Sequence, residues 1–522
     1  MTQTRRGFFK GAIATALASQ ALTSPLPGLA ENSQEQRTKA RALSTPGDAP
    51  VGGTSQAAGK NYEATWESLA KRPTPAWFPD AKFGIFVQWG PYSVPAYNPK
   101  KGYAEWIGNP KNGWVNDPFV REMFGDQVTY WDFGKLLKAE LFNPDQWADL
   151  FARAGAKYVV FSTKFHDGFC MWPTTYSWPK DWNAGATGPK RDVVGDIQKA
   201  VRQKGMRFGA YFSLCEWFNP LEMDNSADLK HCVDGLAYSE KYMTPQVKEL
   251  VTQYKPDILW GDGNWVPSDQ LKVKELLAWV YYESPIRDKV VVNDRWGDLW
   301  TERNVGDYAV GEYGHFWAGL KANKPWEEGR GIGKSFGYNR VEDVDDYKSS
   351  KELVHLLVEV VSKGGNLALD VGPTGDGRIP VIMQQRLVDI GRWLEVNGEA
   401  IYRTRRLESS PPEQEERKNK EEGYQVKLDY NGTGVRYTAM EATLYAICLD
   451  WPGKELVLKD TLPESGAVIT MLGCSDSIQW RIQGADLHIT VPQLSIDKLP
   501  CLHAWTFRIP GAARGIKSPA AI

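Results

Sequence analysis

Six polar or aromatic side chains fall at the ends of apolar, β-prone runs: Gln88, His166, Tyr211, Asp262, Arg295 and Glu312. Two of them are carboxylates on different strands. Glycoside hydrolysis needs such a pair in one pocket, one carboxylate ionised to attack and one protonated to donate. Asp262 is the most informative of the six. The run Asp257-Ile258-Leu259-Trp260-Gly261-Asp262-Gly263-Asn264-Trp265 reads as a buried parallel strand that ends at a carboxylate and breaks into a Gly-Asn loop. The tryptophans on either side offer faces on which a sugar ring can stack. Taken singly, each residue has a structural account. An Asp after a strand commonly caps a helix or makes an Asx turn. Gln88 can satisfy loop amides, His166 can be a hydrogen-bonded core histidine, and Arg295 can pair with Asp294 or Asp298. Six at successive strand ends argue for a pocket, because barrel interiors favour branched aliphatics.

Positioning those residues requires a series of parallel strands. Strands are expected at Phe83–Gln88, Lys157–Lys164, Arg207–Ser213, Asp257–Asp262, Lys289–Trp296, Asp307–Glu312 and Asn366–Val371. Helices are expected between them: one from Asn143-Pro144-Asp145, one over Val194–Gln203, then Thr244–Tyr254, Gln270–Tyr282, Lys351–Lys363 and Val381–Val396. Repeated βα units with right-handed crossovers lead to a closed barrel. A doubly wound open sheet usually carries a Gly-rich phosphate loop after its first strand, and Trp89-Gly90-Pro91-Tyr92 is not one. Beyond Tyr402 the texture changes to a charged connection, Glu413 to Glu422, and then to short alternating strands such as Thr443–Leu449, Ala467–Met471 and Ala504–Ile509. The fold class read from this pattern is α/β, a (β/α)8-type barrel over 61–405 with a C-terminal antiparallel β-sandwich over 406–522.

Composition narrows the partners. With 522 residues, 42% of them hydrophobic, and a net charge of −2, the chain has no basic surface for nucleic acid. It contains twenty-two Trp and twenty-two Tyr, the rings that commonly floor a carbohydrate site. Six cysteines without Cys-x-x-Cys spacing and six scattered histidines predict neither a metal nor a cofactor, so activity should survive a chelator. Thr4-Arg5-Arg6-Gly7-Phe8-Phe9-Lys10, an Ala-rich run and Gly28-Leu29-Ala30 resemble a twin-arginine export signal over 1–30. That predicts a periplasmic or secreted protein. Residues 31–60 read as a flexible linker.

Read in order, nine stretches resemble the retaining α-L-fucosidases. They are Lys82–Gly90 with Tyr92–Ala96, Glu105-Trp106, Phe165–Phe169, Ser213–Phe218, Leu259–Asp262, Asn293–Gly297, Gly311–Tyr313, Ser335–Arg340 and Val396–Tyr402. The resemblance implies exo-acting removal of terminal α-L-fucose through a covalent glycosyl-enzyme. It makes Asp262 the nucleophile and Glu312 the acid/base, with Glu327, Glu328 and Glu105 as rivals for the second role. It implies that Glu105 holds sugar hydroxyls, that Trp106, His166, Tyr211, Trp260 and Arg295 surround the ring, and that Phe336 packs against the fucose methyl. Three positions depart from the family pattern. Gln88 and Phe165 stand where the family usually has His, and Asp370 stands where it commonly has Asn. Phe cannot donate a hydrogen bond, so specificity for a related sugar, L-galactose or sulfated fucose, is an alternative expectation. A barrel that binds glycan without cleaving it is a third.

Overall fold

The computed structural model describes residues 61–111, 113–222, 232–298, 305–313, 324–407 and 434–513. The leader, the linker and the charged connection read from the sequence lie outside them. Eight parallel strands form one curled sheet: β1 (Phe83–Val87), β2 (Tyr158–Lys164), β3 (Arg207–Ser213), β4 (Ile258–Asp262), β5 (Val291–Val292), β6 (Ala309–Glu312), β7 (Trp326–Gly331) and β8 (Asn366–Val371). Their order is β5-β4-β3-β2-β1-β8-β7-β6. The main helices are α1 (Pro144–Arg153), α2 (Val193–Gln203), α3 (Thr244–Tyr254), α4 (Val273–Tyr282), α5 (Ser350–Ser362) and α6 (Val381–Asn397). Local chemistry sets their starts. Asn143 caps α1 through its side chain with Pro144 at the first position, and Ser349 and Glu352 form a capping box on α5.

The two outer strands, β5 and β6, meet at a seam. A single parallel bridge joins Asn293 to Tyr308, and the Asp307 N–H donates to Val292 O at 2.6 Å. The Asp307 carboxylate in turn accepts from Val292 N–H at 2.8 Å and from the Arg72 guanidinium, whose Nη2 also reaches Val290 O. A buried ion pair therefore finishes the circle where backbone pairing is thin.

Three expectations need correction. The strand expected over 289–296 is only Val291–Val292, because the chain turns into a short 3₁₀ segment at Asp294–Trp296. Strand β7 was not anticipated, since Trp326-Glu327-Glu328-Gly329-Arg330-Gly331 shows no apolar alternation. Its charges are satisfied inside the fold instead: Glu327 bonds Tyr158 and Trp260, and Glu328 pairs with Arg330 on the opposite strand face. The βα alternation also lapses near the seam, where no α-helix separates β5, β6 and β7 among the described residues.

The C-terminal part is two antiparallel sheets. One, of order β12-β15-β10-β9, combines β9 (Val435–Met440), β10 (Thr443–Cys448), β12 (Thr470–Met471) and β15 (Trp505–Ile509). The other, β11-β14-β13, combines β11 (Glu455–Leu458), β13 (Trp480–Gln483) and β14 (Asp486–Thr490). Leu444, Leu456, Ile469, Leu487, Ile489 and Phe507 fill the space between them. This sandwich docks on the barrel helices: Trp393 Nε1 of α6 donates to Ala504 O at 2.9 Å, and Arg436 pairs with Glu359 of α5. All six cysteines are unpaired thiols. Among the described residues, no helix is long and apolar enough to cross a membrane.

Candidate active site

The end of β4 is held by an unusual device. Because β5 is only two residues long, the Asn293 side chain continues the ladder in place of backbone, accepting from Gly261 N–H at 2.7 Å and donating to Gly261 O at 2.9 Å. Gly261 has no room for a side chain, since a Cβ there would lie 2.5 Å from Trp296 Nε1. Immediately beyond Asp262, Gly263 takes φ +71°, so the chain turns away and leaves the carboxylate at the strand tip.

Asp262 faces a cavity of about 750 Å³, a volume typical of a small-ligand site. Its Oδ2 accepts from the Tyr211 hydroxyl at 2.7 Å and its Oδ1 from Arg295 Nη1 at 2.9 Å. The other arm of the same guanidinium, Nη2, stands 2.9 Å from Glu312 Oε1. A planar fork of fixed size thus touches both carboxylates. Burial alone would raise the Asp262 carboxyl, but Arg295, His166 and the Tyr211 hydroxyl outweigh it and hold it below its ordinary value. Arg295 is raised despite its burial by Glu312 and Asp262, so it stays charged. Its guanidinium lies over the Trp260 indole, 5.1 Å from the ring centre, and Trp260 Nε1 is itself held by Glu327 Oε1 at 2.9 Å.

His166 sits 3.5 Å from Asp262 through Nε2. On its other side Nδ1 meets Ser213 Oγ at 2.7 Å, and the Ser213 hydroxyl gives its proton to Cys215 O at 2.9 Å. Burial lowers the imidazole to about 4, so the neutral form prevails near neutral pH. Rings pave the rest. Trp265 lies 4.9 Å from His166 and 5.7 Å from Trp106, while Phe336 clusters with Tyr103 and Tyr313 at 5.8 and 5.1 Å.

The structure brings Gln88, Glu105, Trp106, Phe165, His166, Tyr211, Trp260, Asp262, Arg295, Glu312 and Phe336 to this one cavity. It separates the rival acids. Glu327 lies beneath the cavity floor, fully buried between Tyr158 and Trp260, and Glu328 points to the other side of β7. Glu105 does line the cavity, but its Oε2 is tied to Gly337 N–H at 2.9 Å and Ser335 Oγ at 3.1 Å, and burial pushes it up to about 7. Gln88 presents its amide nitrogen, because Oε1 already accepts from the Tyr92 hydroxyl at 3.2 Å. Phe165 adds only a ring, packed against Tyr92, His166, Tyr211 and Trp217. Sequence reasoning missed Tyr103 and Trp114 on the rim; Trp265, read from the sequence as a stacking face beside Asp262, and Asp370, read as a departure from the family pattern, both line the cavity. Among the described residues, no cluster of three His, Cys, Asp or Glu side chains could hold a metal ion.

Comparison with known proteins gives the same picture. Residues 51–399 match the family model described as alpha-L-fucosidase, and 428–510 match the alpha-L-fucosidase C-terminal domain. The chain is 39% identical to tissue alpha-L-fucosidase of Homo sapiens over 459 residues, covering 87% of this chain and 92% of that one. It is 37% identical to the alpha-L-fucosidase of Branchiostoma floridae, covering 86% and 96%. The Thermotoga maritima alpha-fucosidase solved with a mechanism-based inhibitor superposes with a TM-score of 0.71 at 37% identity, covering 85% of this chain and 99% of that one. The same enzyme solved with fucose superposes at 0.70. A model match over most of the length, with relatives of this identity, places the chain in the alpha-L-fucosidase family.

Proposed function

We propose that the chain is an exo-acting retaining glycoside hydrolase that removes terminal α-L-fucose, with Asp262 as nucleophile and Glu312 as acid/base. The observation that carries the reading is the single guanidinium of Arg295 between the two carboxylates. That spacing is compatible with the roughly 5–5.5 Å of a retaining pair. Asp262, kept ionised, attacks the anomeric carbon as the glycosidic C–O bond breaks and the leaving oxygen takes a proton from Glu312. Esterification cancels the charge on Asp262 and leaves Arg295 to Glu312 alone, which favours the carboxylate form that then deprotonates water. Water attacks the same carbon and releases Asp262.

Fucose fits the walls better than L-galactose. The apolar Phe336, Tyr103 and Tyr313 group suits a methyl better than the additional hydroxyl of L-galactose. Hydrolysis of aryl α-L-fucoside and aryl α-L-galactoside, with the first-formed anomer read by NMR, tests this. We expect faster turnover of the fucoside with α-L-fucose appearing first; β-L-fucose first, or no turnover of either substrate, contradicts the reading. From the sequence we also propose twin-arginine export, checked by the N-terminus of the mature protein.

A further inference from the structure

Asp370 is the penultimate residue of β8, Asp262 is the last of β4, and both line the same cavity. Asp370 is 3% exposed, and its Oδ1 has no hydrogen-bond partner. A buried polar atom is nearly always paired, so an unpaired one in a cavity wall calls for a partner that the protein itself does not supply. Other buried polar groups of the cavity are engaged within the protein: Glu105 with Ser335 and Gly337, Tyr211 with Asp262, His166 with Ser213. Around the sheet, β4 and β8 are four strands apart, half the circumference of an eight-stranded barrel. A pyranose whose anomeric carbon meets Asp262 therefore turns its far edge, the 3- and 4-hydroxyls, toward Asp370. Close to Asp370, Gln88, the residue after β1, offers its amide nitrogen.

We propose that Asp370 binds a far-edge hydroxyl of the sugar, at C3 or C4, and so helps to set which sugar the pocket accepts. Burial, with Glu105 and Glu312 nearby, pushes its carboxyl well above the ordinary value, while the Gln88 backbone N–H works the other way. In its protonated form the carboxyl offers both an O–H donor and a carbonyl acceptor, the complement of a hydroxyl. It also recovers polar recognition on a rim where Phe165 supplies none. This inference rests on the fucosidase reading and deepens it.

The test is a double-mutant cycle between protein and substrate. Wild type, Asp370→Ala and Asp370→Leu are assayed on an aryl α-L-fucoside and on its 2-, 3- and 4-deoxy analogues. On the parent substrate we expect kcat/KM to fall about 10- to 100-fold in both variants. That penalty should shrink to about twofold or less on either the 3- or the 4-deoxy substrate, and persist on the 2-deoxy substrate. Asp370→Asn, which keeps the shape with one donor and one acceptor, should stay within about threefold of wild type. Asp370→Leu keeps the branching without polar atoms, so the cycle stands if the alanine variant fails to fold. An equal penalty on all three deoxy substrates, or none on the parent, overturns the assignment while leaving the fucosidase reading intact. Absence of wild-type turnover on the parent would remove both.

Discussion

Asn293 clasps the Gly261 peptide from both sides, one residue before the proposed nucleophile. Where β5 is too short to pair along β4, this amide is what fixes the height and direction of Asp262. Asn293→Ala should lower kcat about 10- to 100-fold with KM changed less than threefold, because positioning matters more to the transition state than to binding. Steady-state kinetics on an aryl α-L-fucoside check it; an effect confined to KM would contradict the positioning role.

Arg295 works through its shape as well as its charge. Its two arms reach Asp262 and Glu312 at 2.9 Å each. Lysine places a point charge on one carboxylate and cannot span both. Arg295→Lys should therefore reduce kcat/KM by roughly 100-fold or more, despite the retained charge. Activity within about threefold of wild type would show that the fork is dispensable.

Glu327 supports the site from below and gives a pH signature. Burial pushes its carboxyl from 4.5 up to about 7, against the hydrogen bonds from Tyr158 and Trp260. The folded chain thus keeps a proton that the unfolded chain releases in this interval. The stability contributed by that proton is full below about pH 4.5 and is lost as pH rises to about 7, on the order of 3 kcal/mol. Glu327→Gln mimics the protonated form, with Oε1 for Trp260 Nε1 and an N–H for the Tyr158 hydroxyl. Its melting temperature relative to wild type should rise between pH 5 and pH 8. A difference independent of pH would contradict the proton on Glu327.

Much of this site was legible in the chain because a parallel strand that ends at a carboxylate leaves a simple trace: an apolar run, one charge, then Gly. Asp262, Tyr211 and His166 all stand where such runs end, and the structure gathers them. Strand β7 was not legible, because Glu327 and Glu328 break the apolar pattern and their partners Tyr158, Trp260 and Arg330 are supplied only by the fold. For the same reason sequence alone could not remove Glu327 and Glu328 as rival acids. The short β5 was overread, since Val290–Asn293 continues into Asp294-Arg295-Trp296 with no breaker in the sequence, yet the chain turns there to bring Arg295 over Trp260. Asp370 was visible as a departure, but its significance depended on a cavity and an unpaired oxygen that no spacing reveals.

The central claim is a covalent bond between Asp262 and the anomeric carbon, and intact-mass and peptide analysis after incubation with a fluorinated α-L-fucosyl donor tests it most directly. One fucosyl adduct per chain is expected, on the peptide containing Asp262, and none in Asp262→Ala, whose turnover should also fall by several powers of ten. An adduct on another side chain, or the same adduct in Asp262→Ala, would contradict it.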